Sequence, residues 1–571
     1  MRPLPLVIWT CFLIPRLAAQ DSAVPDFSAV IASTKLLASE ITRDGTLPGV
    51  SIALVDGGRV VWADGFGVSD LERREPTTPR TIYRVGSISK LFTALAAMRL
   101  VEAGKLDIDR PLDSYLTTLG IANPFLAEAG PVTPRQIFAH ASGLFREPPL
   151  GSYFDNTPPG SPARVLESVR GLRLVHPPGR VTKYSNAGVS ILGSLVEHIA
   201  AEPYEAHMTK GLLEPMAMRS SGYRRTGEIA RRVATGYMQQ RDRRLTPAPT
   251  FELSTIAAGN LYSTVEDLAQ LAILLHARGE IVGRRIISAE TLERMWKPFL
   301  ENGRFGIGFA LANRDGERVV EHSGAVFGFS SVFACLPDAK LSVVLLANED
   351  VGFGPLKRLT DRLLGGALAV KRGKPTGEDP ALAVRPVDLE VFREATGVYR
   401  SDKARLELKV VGDEARLVWQ GHPVRLLSTG PDAFIARDRL IDGNPLLFER
   451  ESSQPGQVHG RVKSVRLDGN TFARLDPASA PIAPKEWAVL EGDYGPDYLP
   501  VRIRVREGRL VAECETFEYE PAPQPDGSFV FPKGTLYEDE ALRFQQGADG
   551  RVTAITLGTM RFEPLRASAS K

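Results

Sequence analysis

Cysteine is scarce. The 571-residue chain has three, at Cys11, Cys335 and Cys514. Thiols so far apart exclude a disulfide framework. Histidine is also rare, at eight residues, and nowhere do Cys and His cluster at zinc-ligand spacing, so no metal and no cofactor are expected. Net charge is lacking too. Seventy basic residues against 68 acidic ones leave +2, too weak a field to draw nucleic acid or an anionic membrane. Past the N-terminus, no apolar stretch is long enough to span a bilayer. The remainder is ordinary for a globular protein, 43% hydrophobic and 24% charged. The length calls for about two to four domains.

The N-terminus reads as a secretory leader over residues 1–19. Arg2 is basic, residues 4–15 are apolar, and Ala18-Ala19 offers a cleavage site. An uncleaved anchor is the alternative. Export places the chain outside the cell or in a periplasm, with no membrane span after cleavage.

The chemistry concentrates in Tyr83-Arg84-Val85-Gly86-Ser87-Ile88-Ser89-Lys90-Leu91-Phe92. This reads as a strand end, a glycine turn and a buried helix, with Ser87 at its start. Lys90 follows one turn on, so both side chains share a face. The helix dipole favours an anionic serine oxygen, and a desolvated lysine can accept its proton. The motif alone is weak, because Ser87 also fits a plain N-cap. A second copy, Ser568 to Lys571, lacks the apolar helix and reads as inert.

Around this stretch the chain alternates helices and strands. A helix over 26–42 precedes a hairpin, Val50–Val55 and Arg59–Ala63, turned by Asp56-Gly57-Gly58. Thr133-Pro134 starts a short helix. His140, in the loop after it, is a candidate base or a histidine bonded to backbone. Residues 145–165 suit a loop over a cleft. Lys183-Tyr184-Ser185-Asn186 leads into another apolar helix, and residues 257–264 cap one more. Strands are expected near 319–325, 331–336 and 341–347, completing an α/β (α+β) domain with an antiparallel sheet flanked by helices over 20–370.

A Lys-, Gly- and Pro-rich linker follows over 371–386, and then short strands without helical period. These strands repeat. Gly397-Val398-Tyr399 recurs as Gly492-Asp493-Tyr494, Arg416-Leu417-Val418 as Arg509-Leu510-Val511, and Gly460-Arg461-Val462 as Gly550-Arg551-Val552. Two small all-β domains are implied, over 387–476 and 486–571, joined by 477–485.

Ser87-Ile88-Ser89-Lys90, Tyr184-Ser185-Asn186 and His322-Ser323-Gly324 stand in that order. With His140 to Leu144, Pro177-Pro178-Gly179 and Ala257 to Leu268, they resemble the serine β-lactamase and penicillin-binding superfamily over about residues 25–365. The likeness is to its class C-like, D-aminopeptidase and esterase branch. The β repeats resemble the lipocalin-like barrels that follow the catalytic domain in D-aminopeptidases. The resemblance implies Ser87 as nucleophile and Lys90 with Tyr184 as a proton relay, leaving open which is the base. A neighbouring ammonium is expected to lower the Tyr184 phenol pKa. Asn186 is expected to hold Lys90 and substrate, and Ser87 and Ala325 to supply oxyanion N–H groups. His322 and Gly324 belong to the substrate edge. His322 stands where penicillin-recognising relatives carry a lysine, so the grip on a substrate carboxylate is weakened.

The expected function is a secreted serine hydrolase acting through an acyl-enzyme on a small-molecule or peptide ester or amide. A β-lactamase or D-Ala-D-Ala carboxypeptidase is the alternative. A non-catalytic binding or scaffold protein that retains the fold is the alternative of another class.

Overall fold

The computed structural model describes residues 25–154, 162–240, 243–376, 384–401, 404–451, 460–476, 481–515 and 517–565. The leader over 1–19 and the Ser568 to Lys571 copy lie outside these residues, as do parts of 145–165 and of both linkers. Among the described residues no helix is long and apolar enough to cross a membrane.

The chain begins with helix α1, Ser28–Arg43, and the hairpin β1, Gly49–Asp56, and β2, Arg59–Asp70. A short strand β3, Glu75–Pro76, lies at the sheet edge. Next come α2, Ser89–Glu102; α3, Asn186–Ala200; and α4, Val265–His276. Four strands return to the sheet: β4, Ala310–Arg314; β5, Glu317–Val326; β6, Phe329–Leu336; and β7, Leu341–Ala347. The helix α5, Phe353–Thr360, follows.

The sheet order is β4-β5-β6-β7-β1-β2-β3, and its pairs are antiparallel. The last strand of the domain thus lies beside the first, Val50 opposite Ala347. β1 and β7 are buried along their whole length, because both faces are covered. Ile52, Leu54, Val343 and Leu345 pack with α1 and the helices after residue 353. Ala53, Val55, Val344 and Leu346 pack with α2 and α4. Period-2 geometry makes a run of Val, Leu and Ile fit two cores at once.

The first β repeat closes into a barrel of eight strands, from Gly397–Arg400 to Asn470–Arg474. The second is a four-stranded and a five-stranded sheet in the same strand order, with Tyr494 bridging to Pro564. Its kinship with the first extends to one bond. The Tyr399 hydroxyl donates to the Ala395 carbonyl at 2.7 Å, and Tyr494 to Leu490 at 3.0 Å, each four residues back. Cys335 and Cys514 are buried and unpaired.

His276 on α4 lies 2.8 Å from Ser342 of β7. Burial pushes its pKa down from 6.5 to about 4. Between those values the unfolded chain binds a proton that the folded chain does not, so this group's contribution to stability is lost as pH falls. In urea unfolding, His276→Gln should gain on wild type by up to about 1.4 kcal/mol per pH unit as pH drops through that window.

Candidate active site

Ser87 sits in a single tight turn, Gly86–Ile88, on which α2 is mounted directly. Two glycines let β5 press against this turn. A Cβ on Gly324 would lie 2.2 Å from the Val85 carbonyl oxygen and 2.9 Å from the Ser87 nitrogen. Gly86 has φ +52, and a Cβ there would meet the Ala325 nitrogen at 2.9 Å. The backbones of Ser87 and Ala325 are thereby held side by side. Ser89 Oγ locks the turn, donating to the Gly86 carbonyl at 2.6 Å and accepting from the Leu261 N–H at 3.0 Å.

Lys90 is 2% exposed, because α2 is apolar almost all round. Its Nζ lies 2.8 Å from Ser87 Oγ and donates to the Ala258 carbonyl at 2.7 Å. Burial holds the amine well below its ordinary pKa; Glu147 opposes this and Arg146 adds to it. A neutral amine can accept the hydroxyl proton of Ser87.

Tyr184 lines the same cavity as Ser87, and Lys90 Nζ lies 5.0 Å from its ring centroid. The expected lowering of the phenol pKa does not occur. Burial raises it, outweighing the side-chain interaction with Ser87 and the Arg146 charge. His140 stacks on Tyr184, centroids 4.1 Å apart, and its Nδ1 accepts from the Ser185 N–H at 3.2 Å. Of its two candidate roles, the geometry gives it the structural one.

Asn186 departs from expectation. Its amide donates to Glu147 Oε1 at 2.5 Å, and its Oδ1 has no partner among the described residues, so it does not hold Lys90. Glu147 is 1% exposed, and burial lifts its pKa to about 7 against the pull of Arg146. Beside it, Arg146 packs 5.8 Å from the Tyr184 ring centroid and bonds Glu515 at 2.8 Å. Sequence reasoning missed Arg146 and Glu147, although only Phe145 separates them from the His140–Leu144 segment. Their pairing with residues past 500 leaves no local signature.

His322 is buried. Burial lowers its pKa to about 3. Its Nδ1 lies 2.6 Å from the Ser323 carbonyl oxygen, and its Nε2 is unpartnered. The substrate edge therefore carries a neutral ring. A cavity of about 790 Å³ opens onto Ser87, Tyr184, Asn186, His322, Gly324 and Ala325. Tyr153, Phe305 and Phe327 wall it from the catalytic domain, and Leu499, Phe517 and Leu536 from the second β repeat. Among the described residues, one group of side chains has ligand atoms close enough to share a metal ion. His176, Glu538 and Asp539 lie within 4.8 Å of one another, brought together from distant parts of the chain and apart from the cavity lining.

A family model described as Beta-lactamase matches residues 34–367. The chain belongs to the β-lactamase family. Its fold is that of the β-lactamase and transpeptidase-like serine hydrolases. A human relative of this family, described as beta-lactamase-like 1, is 29% identical over 358 residues, covering 59% of this chain and 70% of its own. Protein flp of Staphylococcus aureus is 23% identical over 317 residues, 55% of this chain and 62% of its own. Among solved structures, the octameric penicillin-binding protein homologue from Pyrococcus abyssi superposes with a TM-score of 0.55 at 24% identity, covering 86% of this chain and 99% of its own. That share exceeds the β-lactamase domain and takes in part of the all-β region.

Gly324→Ala places a methyl group where Val85 and Ser87 already stand. Phosphonylation of Ser87 by a fluorophosphonate, with loss of fluoride, should slow about a hundredfold through displacement of β5. The circular dichroism spectrum should stay that of the folded chain.

Proposed function

We propose that this β-lactamase relative is an exported serine hydrolase. It forms an acyl-enzyme at Ser87 and acts on uncharged esters, or on amides such as those of D-residues. The observation that carries the reading is the buried Lys90 amine 2.8 Å from Ser87 Oγ.

Ser87 Oγ attacks the substrate carbonyl carbon as its proton passes to Lys90 Nζ. The charge that develops on the carbonyl oxygen is met by the Ser87 and Ala325 N–H groups. Collapse of the tetrahedral intermediate breaks the bond to the leaving alkoxide or amine, which takes the proton back through the Tyr184 phenol. Water then attacks the acyl-enzyme by the reverse route and releases the acid. The apolar walls, Phe305, Phe327, Phe517 and Leu536 among them, suit a substrate with a bulky hydrophobic group. Neutral His322 offers no charge to a carboxylate, which favours esters and neutral amides over penicillins.

Ser87→Ala should leave the fold intact and abolish fluorophosphonate labelling; labelling that survived would sink the assignment. Tyr184→Phe should slow acylation about a hundredfold.

The ratio of kcat/KM for a cephalosporin over an aryl acetate should be low in wild type. It should rise in His322→Lys by the equivalent of about 1–3 kcal/mol. A wild type that already prefers the cephalosporin would restore the β-lactamase reading.

A further inference from the structure

The segment that carries Tyr184 and Asn186, and the loop at Arg146 and Glu147 that it bonds, are held from outside the β-lactamase domain. Glu540, in the turn before strand Ala541–Gln546, is 3% exposed. Its Oε1 accepts from the Arg146 backbone N–H at 2.8 Å and pairs with Lys183 Nζ at 2.8 Å. Lys183 immediately precedes Tyr184, and it donates also to the Glu538 carbonyl at 2.8 Å. The Arg146 carbonyl in turn accepts from the N–H groups of Asn186 and Ala187, at 2.8 and 3.0 Å. One carboxylate thus joins the loop after His140 to the residue before the catalytic tyrosine.

Three further contacts come from the same β repeat. Glu515 bonds the Arg146 guanidinium at 2.8 Å and accepts from the Tyr537 hydroxyl. Arg146 is held between the rings of Tyr184 and Tyr537, 5.8 and 5.4 Å from their centroids. Thr559 donates to the Glu147 carbonyl at 2.6 Å, and Glu147 carries the Asn186 amide.

A buried ion pair is a poor device for stability, since apolar residues of the same volume often do as well. What Lys183–Glu540 supplies instead is a fixed geometry next to the reacting groups. We propose that the second β repeat is a working part of the catalytic site. Glu540 and Glu515 are positioning residues that fix Tyr184 and Asn186 through Lys183 and Arg146. The inference rests on the hydrolase reading above.

Glu540→Gln in the full chain keeps the size of the side chain and an acceptor for Arg146, but removes the charge that Lys183 meets. For an aryl acetate, kcat should fall about tenfold to a hundredfold. KM should stay within about twofold of wild type, as for an interaction lost mainly in the transition state. Fluorophosphonate labelling should slow in parallel. Glu515→Gln, at a partly exposed side chain, should shift kcat the same way and serves if Glu540→Gln does not fold.

Arg243→Gln is the control. It breaks a pair with Asp438 that joins the β-lactamase domain to the first barrel, at 2.5 Å. It should lower thermal stability and leave kcat unchanged. Folded Glu540→Gln or Glu515→Gln with wild-type kcat would overturn the proposal, as would an equal fall in kcat in Arg243→Gln. A folded wild type that neither labels nor hydrolyses would overturn the hydrolase reading, and this inference with it.

Discussion

A lysine amine kept dry beside a serine hydroxyl is the constraint on which the rest of the site depends. An ammonium as buried as Lys90 costs several kcal/mol to hold, which pushes its pKa well down and favours the neutral amine. That condition needs three parts of the fold at once. α2 must be apolar nearly all round, the short helix Ile256–Gly259 must bring the Ala258 carbonyl, and β5 must close over the turn at Gly86. The large shared core of α2, α3 and α4 keeps water from the amine as much as it holds the domain together.

The features legible in the sequence are those with local signatures. Asp56-Gly57-Gly58 marks the first hairpin, and Thr133-Pro134 opens a helix whose capping box with Gln136 is present. The alternation of apolar residues locates β5, β6 and β7. Ser87 and Lys90 stand together because one helical turn separates them. The partner of Asn186 was not legible. It is set by how the loop after His140 folds back, and Glu147 looks like any surface acid in the sequence. The direction of the Tyr184 pKa was missed for a related reason. Proximity of a cation can be guessed from motifs, whereas the depth of burial that outweighs it depends on the whole assembly. Contacts such as Arg146 with Glu515, 369 residues apart, have no trace in local pattern.

The repeat shows how one unit can serve two ends. Gln420 and Glu515 occupy corresponding turns after the third strand of each unit, with φ +51 and +50. Gln420 accepts from the Glu518 N–H at 2.6 Å and so ties the first unit to the second. Glu515 points instead to Arg146. The first unit docks on the β-lactamase domain elsewhere, through Arg439 to the Gly45 and Thr46 carbonyls and Asp442 to Arg358. A duplicated fold with one barrel closed leaves the other free to turn its loops towards the cleft.

The distance along the chain between Lys183 and its partners also sets an order in time. Glu538, whose carbonyl takes the Lys183 ammonium, lies 355 residues further on. At synthesis rates of about 5–20 residues per second, Lys183 is made roughly 18–70 s before those partners exist. During that interval Ser87, Lys90 and Tyr184 are already joined in one chain, while Lys183 lacks Glu540 and Arg146 lacks Glu515. On the proposed reading, the tie between Lys183 and Glu540 forms only once the second β repeat has been made.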